Sequence, residues 1–536
     1  MKLLFSVGAL AVVGSSMQAE AGGLFLPGSG AVSTSRAGAA VASTSDGEAL
    51  GLNPAGLAKT TGTTITLSMA IIDYAMTFRR RGTYDYIDND DQAWEGAPYP
   101  VVADNAKPPL AIGSYQPIPV FVVTTDLGGK APKLRLAAGI YAPNAYPFRD
   151  LCMKTASGCK PYEFNVDVND PPSPARYDIV SQEASVFMPS IAASYRVLPD
   201  LDLGARIGIG FAHLKSDINV WSSPGNLVEN VNKDGLFRVD VRDNFVPGYG
   251  IGLAWRPTPK IEIGANYTSS LTLDAKGSAH AELGPDSGAA GVEVEVVPVD
   301  DEFARCAKGG TMEAQKACVT VEIPRAATIG ARYRFLDAAG TEKGDVELNV
   351  GWENWSAERA TDFNVIIDSQ LSVNGTPTMS LKDNIVRHGF RDTFSARLGG
   401  SYRIPVGANT LITRGGVGYD TAAAKPGWLR ADIDGAARTT LTLGLGYRVG
   451  RFELNVGGGA VLEGENDNPG TCNPTSSALS ELGCNGDGVQ DEIEDREGPD
   501  PINPLNNPDT QLQGPVNQGV FKSHYVLFML GATMSF

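Results

Sequence analysis

From residue 61 to its end, the chain alternates apolar and polar positions with a period of two. In 523–536, Val526, Phe528, Leu530, Ala532, Met534 and Phe536 share one face, with Leu527, Met529, Gly531, Thr533 and Ser535 on the other. Phe452, Leu454, Val456, Ala460 and Leu462 repeat the pattern against Glu453, Asn455 and Gly457. Leu203, Ala205, Ile207, Ile209 and Phe211 do so against Asp202 and Arg206. Successive side chains of a strand point to opposite faces, so each stretch reads as a strand with one apolar face. The pattern predicts fourteen strands, at 61–78, 109–126, 133–145, 183–197, 201–215, 241–255, 259–273, 322–335, 344–356, 390–404, 409–421, 435–449, 451–463 and 523–536.

A soluble sandwich would also alternate, with its apolar face inward. Three features favour an apolar face turned outward to lipid. Very short turns (Leu198-Pro199-Asp200, Pro257-Thr258-Pro259) join the strands at one end, and long polar loops near 79–108, 146–182, 216–240, 274–321, 357–389 and 464–520 join them at the other. That asymmetry, and an even strand number, are the habit of outer-membrane barrels. An aromatic followed by arginine recurs before the turns, at Tyr195-Arg196, Trp255-Arg256, Tyr333-Arg334, Tyr402-Arg403 and Tyr447-Arg448, which suits a membrane–water interface. Phe536 closes the last strand, as in the C-terminal assembly signal of bacterial outer-membrane proteins. The expected fold is all-β, a 14-stranded antiparallel transmembrane β-barrel.

The N-terminus is different in kind. Residues 1–21 read as a secretory signal, with Lys2, an apolar run from Leu3 to Val13 and an Ala19-Glu20-Ala21 cleavage site. Residues 22–58 are glycines, alanines and hydroxyls ending in Asn53-Pro54-Ala55-Gly56, too poor in bulky apolar groups for a core of their own. Pro54 and Gly56 argue against regular structure there. A barrel of this size cannot fill its interior with wall side chains alone. Residues 22–58 are therefore expected to be a plug, or hatch, inside a barrel formed by 59–536.

Composition adds limits. The net charge of -17, unchanged when the signal is removed with Lys2 and Glu20, argues against a nucleic-acid partner. Six cysteines fall in three close pairs, Cys152/Cys159, Cys306/Cys318 and Cys472/Cys484, each in a polar stretch. In an exported chain local disulfides are the natural reading, and zinc is disfavoured because no pair has C-x2-C spacing and histidine is scarce. Asn485, Asp487, Asp491 and Glu492 partly resemble a calcium loop, a weak candidate for structural Ca2+; no other cofactor is expected.

The opening FLPGSGAVSTSRAGAAVAS…LNPAGLA, with Arg36-Ala37-Gly38 and Asn53-Pro54-Ala55-Gly56-Leu57, resembles the FadL family of outer-membrane transporters for hydrophobic compounds. So do Gly139-Ile140-Tyr141-Ala142-Pro143, Trp352-Glu353-Asn354-Trp355-Ser356 and Arg391-Asp392-Thr393-Phe394-Ser395. The resemblance implies a hatch-plugged fourteen-stranded barrel, uptake of long-chain fatty acids or hydrophobic xenobiotics, and sideways ligand exit at a kink in the third strand.

Candidate site residues follow. Pro143 lacks a backbone N–H, so Gly139, Tyr141, Pro143 and Asn144 could interrupt the third strand and open a lateral gap; alternatively Pro143 only starts the outer loop. Pro189 sits similarly in the fourth strand. Leu24, Phe25 and Leu26, the bulky apolar cluster of the hatch, are candidates to touch or gate a ligand, or simply to anchor the hatch. Alternation turns Arg135, Arg206, Arg332, Arg397 and Arg414 into the lumen with Glu262, Glu347, Glu353 and Glu453. Mixed signs suggest a lattice gripping the hatch through Asp46 and Glu48, pairing across strands, or one arginine that binds a fatty-acid carboxylate. No G-x-x-x-x-G-K-[ST] or G-x-S-x-G occurs, and adjacent Ser523 and His524 would face opposite ways on a strand, so an enzyme is not expected. The expected function is passive uptake of hydrophobic molecules, most of all long-chain fatty acids, by a monomer in outer-membrane lipid and lipopolysaccharide. An aromatic-hydrocarbon channel and an adhesin or structural barrel are the alternatives.

Overall fold

The computed structural model describes residues 25–84, 92–108, 110, 112–143, 145–155, 158–159, 171–220, 230–284, 292, 294–300, 304–306, 316–380, 384–425, 428–433, 435–468 and 519–536. The signal segment, Leu24, Asn144, the Cys159 side chain, Cys472, Cys484 and the calcium-loop candidates Asn485, Asp487, Asp491 and Glu492 lie outside what is described. Fourteen antiparallel strands close a barrel. They are β1 (Thr63–Arg80), β2 (Gln116–Thr125), β3 (Leu134–Tyr141, resuming at Phe148–Asp150), β4 (Ser181–Leu198), β5 (Leu201–Val220) and β6 (Gly235–Thr258). Four more strands are each built from two segments: β7 (Ile261–Thr268, Leu271–Leu283), β8 (Lys316–Ile323, Ala326–Leu336), β9 (Glu342–Glu353, Asp362–Val373) and β10 (Asn384–Arg387, Thr393–Val406). The last are β11 (Asn409–Asp420), β12 (Arg438–Val449), β13 (Phe452–Asn468) and β14 (Gly519–Ser535). Closure is by β1 on β14, in register from Thr64↔Ser535 to Arg80↔Gly519.

The apolar face is the outer one. Ile207, Ile209 and Phe211 are about half exposed, as are Phe528, Leu530 and Phe536, whereas Tyr525, Leu527 and Met529 are buried on the lumen side. In water such a surface would be a severe aggregation hazard; in lipid it is the solvent contact.

Two sequence expectations about the wall need correction. Stretches read as loops at 216–240, 274–321 and 357–389 contain paired strand, because β5 to β10 continue past the apolar band. The ladder persists there while the outer face turns polar, as in His213 and Lys215 against Asp240 (2.8 and 3.7 Å), so the apolar alternation vanishes but the strand does not. The arginines of the aromatic–arginine pairs do not share the face of their aromatic. The rings face out; one residue on, the guanidiniums turn to lumen-side carboxylates, Arg196 to Asp202 at 2.8 Å and Arg334 to Glu342 at 2.7 Å.

Residues 25–60 fill the turn-side lumen. They form two single-turn helices, Ala31–Thr34 and Ala49–Leu52, and a 3-10 helix, Pro54–Lys59, so the expectation of irregular structure at Asn53–Gly56 was wrong. Proline is tolerated at the first helical position, and the Asn53 side chain caps the turn by accepting the Ala55 N–H at 3.1 Å. The hatch seats directly on wall backbone. A Cβ at Gly204 would stand 2.3 Å from Ala55 N, and one at Gly416 2.2 Å from the Arg36 carbonyl carbon, so only glycine allows the approach.

Candidate functional site

Two layers of different chemistry stack inside the barrel. The turn-side layer is polar and holds the hatch. Arg36, buried, clamps Asp345 with both terminal nitrogens (2.7 and 3.1 Å) and reaches Glu347 at 3.4 Å. Glu347 also accepts the hatch amides of Ala42 and Ser43 at 2.8 and 3.0 Å. Lys59 pairs with Glu262 at 2.6 Å; burial pushes its ammonium below the usual range, and the Glu262 carboxylate opposes that shift. Asn53 donates to the Val41 carbonyl at 2.7 Å and the Leu253 carbonyl at 3.1 Å, tying the Asn-Pro-Ala-Gly turn to the hatch and to β6.

The expected lattice exists, but it holds the hatch through Arg36, Lys59 and backbone carbonyls, not through ion pairs of Asp46 and Glu48. Asp46 accepts the Glu48 amide, and Glu48 accepts Val32 N, Ser33 N, Ser33 Oγ and Ser68 Oγ at 2.7–2.9 Å. Glu48 thus organises the hatch from within, and only Ser68 belongs to the wall. Arg206 donates to the Leu50 and Gly51 carbonyls (2.6 and 2.7 Å) and lies over the Tyr141 ring, while Arg135 donates to the Thr60 carbonyl at 2.9 Å. Arg332 joins Glu262, Glu342 and Asp345 (2.9, 2.7 and 3.0 Å), Arg414 joins Glu453 (2.8 Å), and Arg397 joins Asp420. Glu353 accepts the Trp355 indole at 2.7 Å. Asp392 accepts Trp352 Nε1, Asn354 Nδ2 and Ser356 Oγ at 2.7–2.9 Å, so the two motifs Trp352–Ser356 and Arg391–Ser395 meet in space.

Above the hatch lies a cavity of about 760 Å³. Leu214, Phe237, Val239, Leu273, Val319, Val321, Phe363, Val365 and Ile367 make its wall, and Phe25 its floor. Phe25 bridges the Ala145 backbone and packs on Trp355 (centroids 5.9 Å), whereas Leu26 is buried in the core and does not border the cavity. None of Arg135, Arg206, Arg332, Arg397, Arg414, Glu347 and Glu353 borders it. Among the described residues the buried cation that does is Arg430, in a segment between β11 and β12 that carries no strand pattern. It pairs with Asp178 at 2.5 Å and stands 3.4 Å from Asp432, which reaches His388 at 2.8 Å.

One side of the cavity opens at the third strand. The β2–β3 ladder ends at Val120↔Tyr141, although β2 continues along β1 to Gln116. The β3–β4 ladder ends at Tyr141↔Met188 and resumes at Phe148↔Glu183. Gln116–Pro119 and residues 184–187 therefore lack third-strand partners, and both sets line the cavity with Ala142, Pro143, Ala145 and Pro147. The gap begins after Tyr141. Gly139 and Tyr141 lie in intact ladder, contrary to their assignment to the gap, because Gly139 lets the strands close: a Cβ there would meet the Phe121 carbonyl oxygen at 2.3 Å. Pro143 lies within the interruption. Pro189 faces Ile140 on β3, and the β4–β5 ladder skips it and Met188. Pro117 and Pro119 went unnoticed in the sequence; they remove two N–H donors from an edge that would otherwise stand unpaired in lipid.

Of the cysteine pairs, Cys306–Cys318 is a disulfide, with a Cα–Cα distance of 5.3 Å. Cys152 is also disulfide-bonded. Its expected partner Cys159 does not stand in open loop, as the sequence suggested. It ends a two-residue strand, Gly158–Cys159, that pairs with Lys154–Thr155 in the register Lys154↔Cys159. So short a hairpin carries no alternation from which to read it. The Cys159 side chain lies outside the described residues, so the bond assigned to Cys159 from spacing stays an expectation.

A closed fourteen-stranded barrel with a lipid-facing apolar band, a plugged lumen and an apolar cavity defines an integral outer-membrane barrel. The family model "Outer membrane protein transport protein (OMPP1/FadL/TodX)" matches residues 12–459, and the chain belongs to that family, whose members transport hydrophobic compounds. Similar solved structures include a Pseudomonas aeruginosa FadL homologue (TM-score 0.65, 16% identity, covering 96% of this chain and 100% of that one). The Ralstonia pickettii toluene transporter TbuX (0.57, 15%, 95% and 99%) and the P. putida toluene transporter TodX (0.56, 15%, 95% and 99%) are also similar. These show the fold. No curated protein matches the chain.

Proposed function

We propose that this barrel is a passive, monomeric, non-enzymatic channel for long single-tailed amphiphiles, above all long-chain fatty acids, set in outer-membrane lipid and lipopolysaccharide. The cavity carries the reading. It runs from a charged end at Asp178, Arg430 and Asp432, along an aliphatic wall, to the interruption after Tyr141. Its volume of about 760 Å³ falls within the ~300–1,000 Å³ usual for small-molecule sites. An aromatic hydrocarbon would need the wall but has no use for the charged end. The ligand enters with its tail against Val319, Val321 and Val365 and leaves sideways between β2 and β4, where no ladder has to be broken. Phe25 couples the hatch to this route, because its backbone pairs with Ala145 of the interrupted segment.

The test is equilibrium binding of labelled oleate to detergent-purified protein, with toluene as competitor. Oleate binding that toluene displaces only weakly is expected. Toluene uptake without oleate binding would transfer the assignment to aromatic hydrocarbons. Binding of neither would remove the transport reading and leave an adhesin or structural barrel.

A further inference from the structure

Three described cations border the cavity: Lys215, Arg387 and Arg430. The Lys215 and Arg387 side chains are 46% and 44% exposed, and they alternate with lumen-side Leu214 and Val386. The Arg430 side chain is 7% exposed and its partner Asp178 is 0% exposed. Asp178 Oδ1 faces Arg430 Nη2 at 2.5 Å, and its other oxygen accepts the Ala431 N–H. Around this pair stand Asp432, 3.4 Å from Arg430 Nε, and His388, 2.8 Å from Asp432. Arg149 donates to the Ala431 carbonyl at 3.0 Å. A buried carboxylate thus sits on the single buried guanidinium that borders this cavity among the described residues.

We propose that Asp178 holds the position on Arg430 that a ligand carboxylate takes, and that the two exchange with transfer of one proton. The inference rests on the fatty-acid reading above. The step is R–COOH plus Asp178–COO⁻ giving R–COO⁻ on Arg430 plus Asp178–COOH. The O–H bond of the ligand breaks, an O–H bond forms at Asp178 Oδ1, and no net charge enters the cavity. Bringing an added anion into a low-dielectric site costs several kcal/mol, so a neutral exchange is the accessible route. Two facts suit Asp178 to it. Burial pushes its carboxyl up to about 6 even beside Arg430, and desolvation raises a fatty-acid carboxyl in the same direction, so the two compete on near-equal terms. Its second oxygen keeps the Ala431 amide whichever way the proton lies, so Asp178 stays tethered there while its protonated Oδ1 swings off Arg430 and turns its O–H toward the ligand carboxylate. An uncharged ligand head cannot make the exchange.

The experiment uses full-length protein in detergent at pH 7.5, with oleate and oleyl alcohol as probes and calorimetry in two buffers of different ionisation heat. Wild type is expected to take up about one proton per bound oleate and none per oleyl alcohol. Asp178→Asn, which copies the neutral state, is expected to bind oleate on the order of tenfold more tightly, without proton uptake, and oleyl alcohol unchanged. The Asp178→Asn/Arg430→Gln double variant, which leaves no lone buried charge to unfold the segment, should lose that gain. Oleate binding by wild type without proton uptake, or an unchanged oleate-to-alcohol ratio in Asp178→Asn, would overturn the exchange while leaving the transport reading intact. Failure of wild type to bind either probe would overturn both.

Discussion

Removing Arg36 tests whether charge pairing, not apolar packing, seats the hatch. Arg36→Ala deletes the two-point contact to Asp345 (2.7 and 3.1 Å) and the 3.4 Å approach to Glu347. Breaking a buried pair costs roughly 3–5 kcal/mol when the surviving charge has no other partner. Here Asp345 keeps Arg332 at 3.0 Å and a Ser401 hydroxyl, and Glu347 keeps the amides of Ala42 and Ser43. The loss should fall at the low end, about 3 kcal/mol. At about 1.4 kcal/mol per tenfold, local opening of the hatch becomes about a hundredfold more populated. Hydrogen exchange at the Ala42 and Ser43 amides reads that change directly, with the β1–β14 amides as an internal reference that stays fixed. An Arg36→Met/Asp345→Asn variant, which removes both charges, should recover more than half of the lost protection. Unchanged protection in Arg36→Ala, or a double variant as loose as the sum of its parts, would refute the clamp.

Three further outcomes are expected. Pro119→Val with Pro143→Val restores backbone donors where the ladder stops at Val120↔Tyr141, so oleate delivery into membranes should fall severalfold while binding affinity in detergent stays within about twofold. Gly204→Val drives a side chain into Ala55, 2.3 Å from where its Cβ would stand, and should expose the hatch to limited proteolysis while the barrel's heat resistance in gels is retained. The third is a pH effect. The Asp178 carboxyl, raised from 3.8 to about 6, keeps a proton in the folded segment that an opened segment loses between those values. Its contribution to closure is therefore largest below about pH 4, falls by up to about 3 kcal/mol as pH rises to about 6, and is flat above. Exchange of the Ala431 amide should follow that course in wild type and flatten in Asp178→Asn; protection that rises with pH would contradict the assignment.

The strands were legible because each one crossing lipid must present an apolar row at every second position, and fourteen such rows were countable. The signal failed where the barrel rises above the lipid: the outer face at His213, Lys215 and Asp217 is solvated, so nothing in apolar periodicity marks those residues as paired. The polar layer was half legible. Alternation turned the wall charges inward, yet it could not say that Arg36 and Lys59, rather than Asp46 and Glu48, meet them, because a small-residue segment carries no periodicity from which to read direction. Pro143 pointed to the interruption, while Pro117 and Pro119 passed as ordinary strand residues though they stand on the opposite lip. Arg430 could not have been found at all. It sits in a connection without pattern, and only the closing of the chain brings it to Asp178, far upstream.

The contact of the hatch on Gly204 and Gly416 has a mechanical consequence. A domain seated by interlocking side chains must break a hydrophobic core to shift, and each buried Leu or Phe exposed costs roughly 1.5–3 kcal/mol. This plug has such anchors in Leu50 and Leu57, buried among Val120, Val122 and Ala192 of the wall, but at Gly204 and Gly416 it lies backbone on backbone. At those two places its surface works as a bearing. Displacements confined to these glycine contacts expose no apolar side chain, whereas a shift of the whole plug must also uncover Leu50 and Leu57.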